Sequence, residues 1–443
     1  VANPQASSAA GRDEHRAGAP FRATEIRRRA AFGVAHRDGR ETPAESVRLV
    51  PTLYAPAGGA NPAVGAATGF GAFTSGVATG TDFTWPEVGI IQVRGGIGDA
   101  DYLGAGDVTG ATLSERIGRF IPSRFSVALN SPLLTTACGA GGFTYQGQPF
   151  GYSTAPVITA TAVAVGGTTT TNYTGSFFRL TNSTLTGRTY TSAAGTLDVS
   201  GLPATTTDPA IASPGGGVAT LTFGSGAGLR FTKTLLAPFD AGIELAIDVL
   251  DGDGVAAVGS APLGNPVTFG APNGMPFTAG QEIRYGRIRL GTAAGSERVN
   301  LPVPMHAEYY ASAAAGFVPN TGDTCTTGVS LAFSSYTDGL NAGETCVLDS
   351  GAPGGSGAGC AAPAAAAQRY REPPTSAAGG DFNLNLQAPG VGNQGGVVIT
   401  ATVPAWLRYD WNAATPGDEN PSGQATFGIF RGESRQIYTR EIY

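Results

Sequence analysis

Ile243-Glu244-Leu245-Ala246-Ile247-Asp248-Val249-Leu250 runs directly into Asp251-Gly252-Asp253-Gly254. Apolar residues at every second position turn one face of a strand toward a core, and Asp-Gly supplies the dihedral angles of a tight turn. The same period recurs at Val299, Leu301, Val303, Met305, Ala307 and Tyr309, and again at Val397, Ile399, Ala401 and Val403 behind a Gly-rich turn ending at Gly396. From about residue 47 onward, short apolar runs alternate with Gly, Pro, Asn and Asp, the pattern of a β-sandwich. The expected fold class is all-β, with tandem β-sandwich (Ig-like) domains and long Gly/Pro/Thr-rich loops.

Pro302 and Pro304 stand two apart, so both remove ladder donors from the same side of their strand, which is expected at a sheet edge. Residues 1–46 read as an N-terminal arm. Its first 20 residues have no period, and 22–36, with Arg27, Arg28 and Arg29, have the propensity of a short helix. A β domain over 47–129, an Ig-like sandwich over 130–270 and a C-terminal sandwich over 271–443 follow. The tract 351–367 is a flexible loop by composition. The arm is expected either to pack along a neighbouring domain or subunit, or to fold back on its own chain.

Composition narrows the function classes. The chain has 443 residues, 67 of them glycine and 30 proline, with 14% charged and 41% hydrophobic residues. That is enough apolar surface for a core, and strands and turns build it with less conflict than helices. A net charge of −6 opposes nucleic acid as a partner, which needs a concentrated basic face. No run approaches the ~18 apolar residues of a membrane helix, and no membrane insertion is expected. Val1 is not methionine, consistent with a processed chain or a longer precursor. Lys233 is the only lysine among 27 basic residues.

The four cysteines, Cys138, Cys325, Cys346 and Cys360, fit no zinc spacing. An even number in a loop-rich β protein points to two disulfides and an oxidising compartment. The connectivity stays open, with Cys346–Cys360 preferred because a Gly-rich loop would let them meet.

Catalytic signatures are not found. There is no H-E-x-x-H or G-x-S-x-G, and three scattered histidines do not suggest a triad. Gly390, Gly392 and Gly395 form a G-x-G-x-x-G, but a strand follows where a dinucleotide site needs a helix, so these are hairpin glycines. Asp248, Asp251 and Asp253 are candidate calcium ligands, although Asp-Gly is first of all a turn. No other cofactor is expected. Trp406 and Trp411 are the best candidate pair for stacking on a sugar, against a core role in strand-like runs.

Further residues carry a resemblance. Pro404-Ala405-Trp406-Leu407-Arg408-Tyr409-Asp410-Trp411 precedes Asn420-Pro421, Ala425-Thr426-Phe427-Gly428, Arg431-Gly432 and Ile437-Tyr438-Thr439-Arg440-Glu441. Upstream stand Trp85-Pro86-Glu87-Val88-Gly89, Asp101-Tyr102, Ile117-Gly118-Arg119-Phe120, Phe143-Thr144-Tyr145-Gln146-Gly147-Gln148-Pro149-Phe150 and Asn172-Tyr173-Thr174-Gly175. Tyr285-Gly286-Arg287, Gly295-Ser296-Glu297 and Asp323-Thr324-Cys325-Thr326 complete the set. Together they resemble the MshQ-like proteins of type IV pilus operons, from roughly residue 30 to the end. Relatives carry a more acidic loop after the final Asp-Trp; here it reads Asn412 to Asp418, which weakens the case for calcium there.

The resemblance implies export from a bacterium and association with a surface appendage, and supplies no catalytic activity. The leading expectation is a secreted structural or adhesive component of a type IV pilus or other extracellular filament, not an enzyme. Its partners would be further copies of itself or pilus subunits. The alternative is a carbohydrate-binding surface module, or a polysaccharide-acting surface enzyme, engaging host or surface glycans.

Overall fold

The computed structural model describes residues 15–19, 21–27, 47–70, 77–98, 100–101, 106–107, 109–110, 112–348, 379–412 and 414–428. Within them the chain is all-β, with short 3-10 turns at Gly175–Phe177 and Ala405–Leu407. Three hydrophobic cores succeed one another along the sequence.

The first core is small: Leu49, Phe83, Trp85, Ile91, Val93, Ile117 and Phe120. One sheet runs His15–Arg16, Ile117–Ile121, Gly89–Ile97, Val47–Ala55; another runs Phe21–Arg27, Val77–Thr84, Gly65–Ala66. Two expectations about the arm change here. The helix placed over 22–36 is, over Phe21–Arg27, a strand antiparallel to Val77–Thr84; residues 28–36 lie outside the described residues. Helix propensity amounts to tenths of a kcal/mol per residue, whereas a sheet edge pairs every second backbone group outright. Residues 15–19 are likewise anchored rather than loose. Ala17 is fully buried, its N–H donates to the Ile121 carbonyl and its carbonyl accepts from Val165, while the Gly18 N–H donates to Trp85. Over these residues the arm folds back on its own chain.

The second core is a sandwich. One sheet runs Ala210–Gly215, Val218–Thr222, Val157–Val163, Arg124–Leu129; the facing sheet runs Thr186–Ser192, Ile243–Asp248, Val267–Phe269. Ile243, Leu245 and Ile247 are buried and alternate with half-buried neighbours, as the period requires. A join was expected near Asn130, but Arg124–Leu129 already pairs with Val157–Val163, and Phe125 and Val127 lie in the second core. The chain therefore changes core at about Pro122. At the other end Met275 and Ile283, beyond the expected join near 270, still pack into the second core.

The third core is also two-layered. Ala293–Gly295, Ser422–Phe427, Gly395–Thr402 and Ser330–Ser334 form one sheet, and Gly286–Leu290, Met305–Ser312 and Gly316–Pro319 another. The expected single strand from Val299 to Tyr309 is broken. Leu301–Pro302 is the edge of a small sheet with Asn385–Leu386 and Val347–Leu348, while Met305–Ser312 is paired on both sides. Two prolines interrupt the ladder, so the chain changes sheet between them. The edge expectation holds for Pro302 and fails for the strand that follows. Gly395 opens the strand Gly395–Thr402 at φ +146°, and a Cβ there would lie 2.0 Å from the Thr337 carbonyl oxygen. The third glycine of the G-x-G-x-x-G is thus required by backbone approach, not by a phosphate.

Candidate functional site

The residues that gather buried polar contacts lie where the cores meet. At the first joint, Glu87 is 4% exposed and accepts four hydrogen bonds. Its Oε1 takes the N–H groups of Val88 (2.8 Å) and Asn172 (3.0 Å). Its Oε2 takes the N–H and hydroxyl of Thr171, both at 2.9 Å. Asn172 passes the connection on: its Oδ1 accepts from Ala60 at 2.7 Å, and its Nδ2 donates to the carbonyls of Ala60 and Val88. Arg16 donates to the carbonyls of Pro122 and Ser123, both at 3.0 Å.

The Asp251–Gly254 loop belongs to the same joint. It is a turn, closed by Gly254 N–H to the Asp251 carbonyl, with Gly254 at φ +71°. Asp251 is buried; Oδ1 accepts from the N–H groups of Asp253 and Val255, and Oδ2 accepts the Tyr173 hydroxyl at 2.7 Å. Burial raises the Asp251 pKa against the pull of that hydroxyl. Burial and the adjacent carboxylate push Tyr173 far above the ordinary phenol range. Asp253 is ion-paired with Arg119 of the first core, both side chains nearly buried, and has Arg179 at 3.7 Å. Asp248 faces elsewhere, toward the Thr186 hydroxyl at 3.5 Å. The expected calcium triad does not fit: its oxygens face donors in different directions, and among the described residues no group of three such ligands converges. Asn172 is itself 2% exposed.

The second joint is built differently. Between Arg124–Leu129 and Val157–Val163 the chain leaves the second sandwich, and Cys138, Phe143 and Tyr145 enter the third core. Phe143–Tyr145 pairs in parallel with Glu282–Arg284, which also pairs with Phe239–Asp240. Cys138 and Cys325 are joined by a disulfide across 187 positions of sequence. Beside it runs a buried chain of hydrogen bonds. Arg284 donates to Asn320 Oδ1 (2.6 Å), Asn320 Nδ2 to the Tyr145 hydroxyl (2.6 Å), and that hydroxyl to Asp323 Oδ2 (2.8 Å). Asp323, fully buried, also accepts from the Cys325 and Thr326 N–H groups and the Thr326 hydroxyl. Tyr145 is held well above the ordinary phenol range by burial first and the Asp323 charge second. Gln146 Oε1 accepts the Thr234 N–H at 2.7 Å, and Gly147 donates to Phe231 at 2.7 Å. The chain's one lysine closes the joint. Lys233 donates to the Arg408 carbonyl and to Asp418 (2.8 Å) and lies 5.0 Å from the Tyr285 ring. Burial lowers its pKa, with Asp418 opposing.

Cys346 is also disulfide-bonded. The preferred pairing Cys346–Cys360 falls partly on a residue outside the described ones, as does the loop 351–367.

The two tryptophans are not a pair, and neither is in a strand. Trp406 sits half-buried in the turn Ala405–Leu407, against Gly147 and beside the Cys138–Cys325 disulfide. Trp411 stands in the hairpin loop closed by Tyr409 and Glu419, 37% exposed and edge-on to Tyr409 at 5.1 Å. It belongs to a ring cluster around Arg287, which lies 3.6 Å from the centroid of Phe317, 4.8 Å from Tyr409 and 4.9 Å from Trp411. Arg287 is fixed by Glu308 Oε2, to which its Nε donates at 2.8 Å and with which its Nη2 is ion-paired at 2.7 Å.

Sequence reasoning quoted Glu87, Arg119, Tyr145, Asn172 and Asp323 within motifs but gave none of them a role. Asp323-Thr324-Cys325-Thr326 carried the one local signal, since an Asp before Thr-Cys-Thr readily caps the two following N–H groups. The contacts of Glu87 with Asn172, of Tyr145 with Asp323 and of Arg119 with Asp253 span 85, 178 and 134 positions and leave no local trace.

Residues 87–269 match the family model for DUF6701, third domain, and residues 284–442 the model for DUF6701, fourth domain. No curated protein matches the chain. Among solved structures, the Yersinia pseudotuberculosis adhesin InvE is similar at 14% identity over 69% of this chain and 61% of that one, with a TM-score of 0.20. The human desmocollin-1 ectodomain is similar at 11% identity over 92% and 58%, TM-score 0.27. Zebrafish RET cadherin-like domains 1 to 4 are similar at 8% identity over 86% and 66%, TM-score 0.22. The chain spans about three fifths of the first two structures and 66% of the third, and likenesses at these scores carry no argument.

Proposed function

This chain belongs to the DUF6701 family, and on that premise we propose that it is a secreted structural and adhesive component of the bacterial surface, a braced segment of a type IV pilus or other extracellular filament. Its role is mechanical rather than catalytic: to hold successive β domains in fixed orientation so that their outer faces are displayed. The observation that carries this reading is the second joint, where a disulfide, an inserted strand and a buried polar chain tie two sandwiches together. Disulfides persist in oxidising compartments, which supports a site of action outside the cytoplasm. The MshQ-like motifs support the pilus assignment, and they coincide with the joints: Glu87, Arg119, Tyr145, Asn172 and Asp323 all lie in them.

Shearing the surface appendages from the producing bacterium and probing the fractions with an antibody tests the proposal. The protein should appear in the sheared fraction, with its cysteines resistant to alkylation before reduction. Recovery from the cytoplasm with free thiols would contradict it.

A further inference from the structure

The outer face of the sheet Gly286–Leu290, Met305–Ser312, Gly316–Pro319 carries a feature that the joints do not explain. Arg287, Glu308, Tyr310 and Phe317 share this face, because Arg287 is opposite Glu308 and Tyr310 is opposite Phe317 in the register. Tyr310 and Phe317 meet at 5.6 Å, and Phe317 and Tyr409 at 5.2 Å, with planes 65° and 79° apart. The hairpin loop from Tyr409 to Glu419 brings Trp411 to the outer end of this row. Of the chain's three tryptophans, Trp85 is fully buried and Trp406 is packed at the second joint. Trp411 alone turns more than a third of its surface to solvent. The exposed part of the indole adjoins an ordered ring cluster, with Tyr409 at its edge and Arg287 over its ring, and so extends that cluster to the solvent.

We propose that this face binds an uncharged glycan, with one pyranose ring stacked on Trp411. The C–H groups on one side of a pyranose are apolar and match an aromatic plane, while its hydroxyls need donors and acceptors at the rim. Both are present. Asp410 and Asn412 are exposed on either side of Trp411 in sequence, and Arg289 is exposed beside Glu308, 3.8 Å from its Oε1. The floor is preset, since Arg287 is ion-paired with Glu308 and lies against Phe317, Tyr409 and Trp411, so the rings lose little freedom when a ligand arrives. The charges also select the ligand class. Arg287 already occupies the centre of the rings, which opposes a cationic ligand. Glu308 and Asp410 balance Arg287 and Arg289, which leaves no concentrated field for a polyanion. Trp406 has no part in it.

This inference rests on the adhesive half of the reading above and not on its bracing half. The test is an array of uncharged hexose and N-acetylhexosamine oligosaccharides, probed with the full chain, Trp411→Ala, Arg289→Ala and Trp406→Ala. At least one uncharged glycan should be retained by the native chain and lose tenfold or more in affinity with Trp411→Ala. Arg289→Ala should weaken it several-fold, and Trp406→Ala should leave it within twofold, with the melting temperature of Trp411→Ala unchanged. No uncharged glycan bound, binding of sulfated or sialylated glycans alone, or equal binding by Trp411→Ala would overturn it. Each of these would leave the sheared-fraction result untouched, so the two readings fail separately.

Discussion

The two joints solve one problem with different chemistry. At the first, Val88, Ile90 and Ile121, on or beside strands of the first sheet, pack into the second core, and polar contacts cross the same boundary: Glu87 to Thr171 and Asn172, Asn172 to Ala60, and Arg119 to Asp253. At the second, part of one domain's chain is core of the next, because Phe143 and Tyr145 pack in the third core and Cys138 is covalently bound there. Parting the first joint would uncover Val88, Ile90 and Ile121 and leave the carboxylates without their donors. The second cannot part without opening the third core. Load carried along the chain should therefore yield at the first joint before the second.

Breaking the disulfide should have the largest effect. Cys138→Ser with Cys325→Ser frees a loop of 187 positions, and loops of that size lose about 3–5 kcal/mol of stability when a native bond is removed. Denaturant unfolding should show the loss in the transition that includes the third core, with the first core's transition unmoved. Equal loss in both transitions would mean that the cores are not arranged as described.

Next is Asp323→Asn. The side chain is fully buried and accepts four hydrogen bonds, so replacing half the carboxylate by a donor should remove roughly 3 kcal/mol. Glu87→Gln disturbs an equally crowded acceptor at the other joint and should cost about 2–3 kcal/mol. It should loosen the first domain from the second without changing the unfolding of the third core. Limited proteolysis between residues 121 and 124, faster in Glu87→Gln than in Asp323→Asn, would sharpen the contrast.

Alkaline pH should reach both joints at once. Tyr145 and Tyr173 have folded pKa values raised by burial and by a neighbouring carboxylate. The unfolded chain releases these protons near pH 10 while the folded chain retains them, so their contribution is complete below about pH 10 and is lost above it. The slope is about 1.4 kcal/mol per pH unit for each tyrosine. Lys233 works in the opposite direction below its ordinary pKa, because burial lowers its folded value. Melting curves from pH 9 to 11.5 should fall, and Tyr145→Phe should flatten the fall by about one tyrosine. An unchanged slope would remove Tyr145 from the account. The smallest effect on stability is expected from Trp411→Ala, within about 0.5 kcal/mol, as for an exposed loop residue.

The architecture was legible wherever burial has a period. Ile243–Asp248 and Gly395–Thr402 are strands because one buried face imposes alternation, and Ile243, Leu245 and Ile247, like Val397, Ile399 and Ala401, are buried as that period requires. It was illegible where long-range pairing outweighs local preference. Phe21–Arg27 has helical propensity and is a strand because Val77–Thr84 offers it an edge. The carboxylates of Asp251 and Asp253 looked like metal ligands because sequence shows only the acceptors. Their donors, Tyr173 and Arg119, stand 78 and 134 positions away. Trp406 and Trp411 looked like a pair because they are five apart, and the turn Ala405–Leu407 sends them to different surroundings.

The central claim is that both joints hold, so that the three cores move as one body. Spin labels introduced at exposed Ala63, in the first domain, and at Val391, 72% exposed in the third, report across both joints together. Pulsed electron-spin distance measurements should give one narrow population in the native chain, broadened by Glu87→Gln and broadened further by Cys138→Ser with Cys325→Ser. A broad or multimodal distribution in the native chain would contradict it.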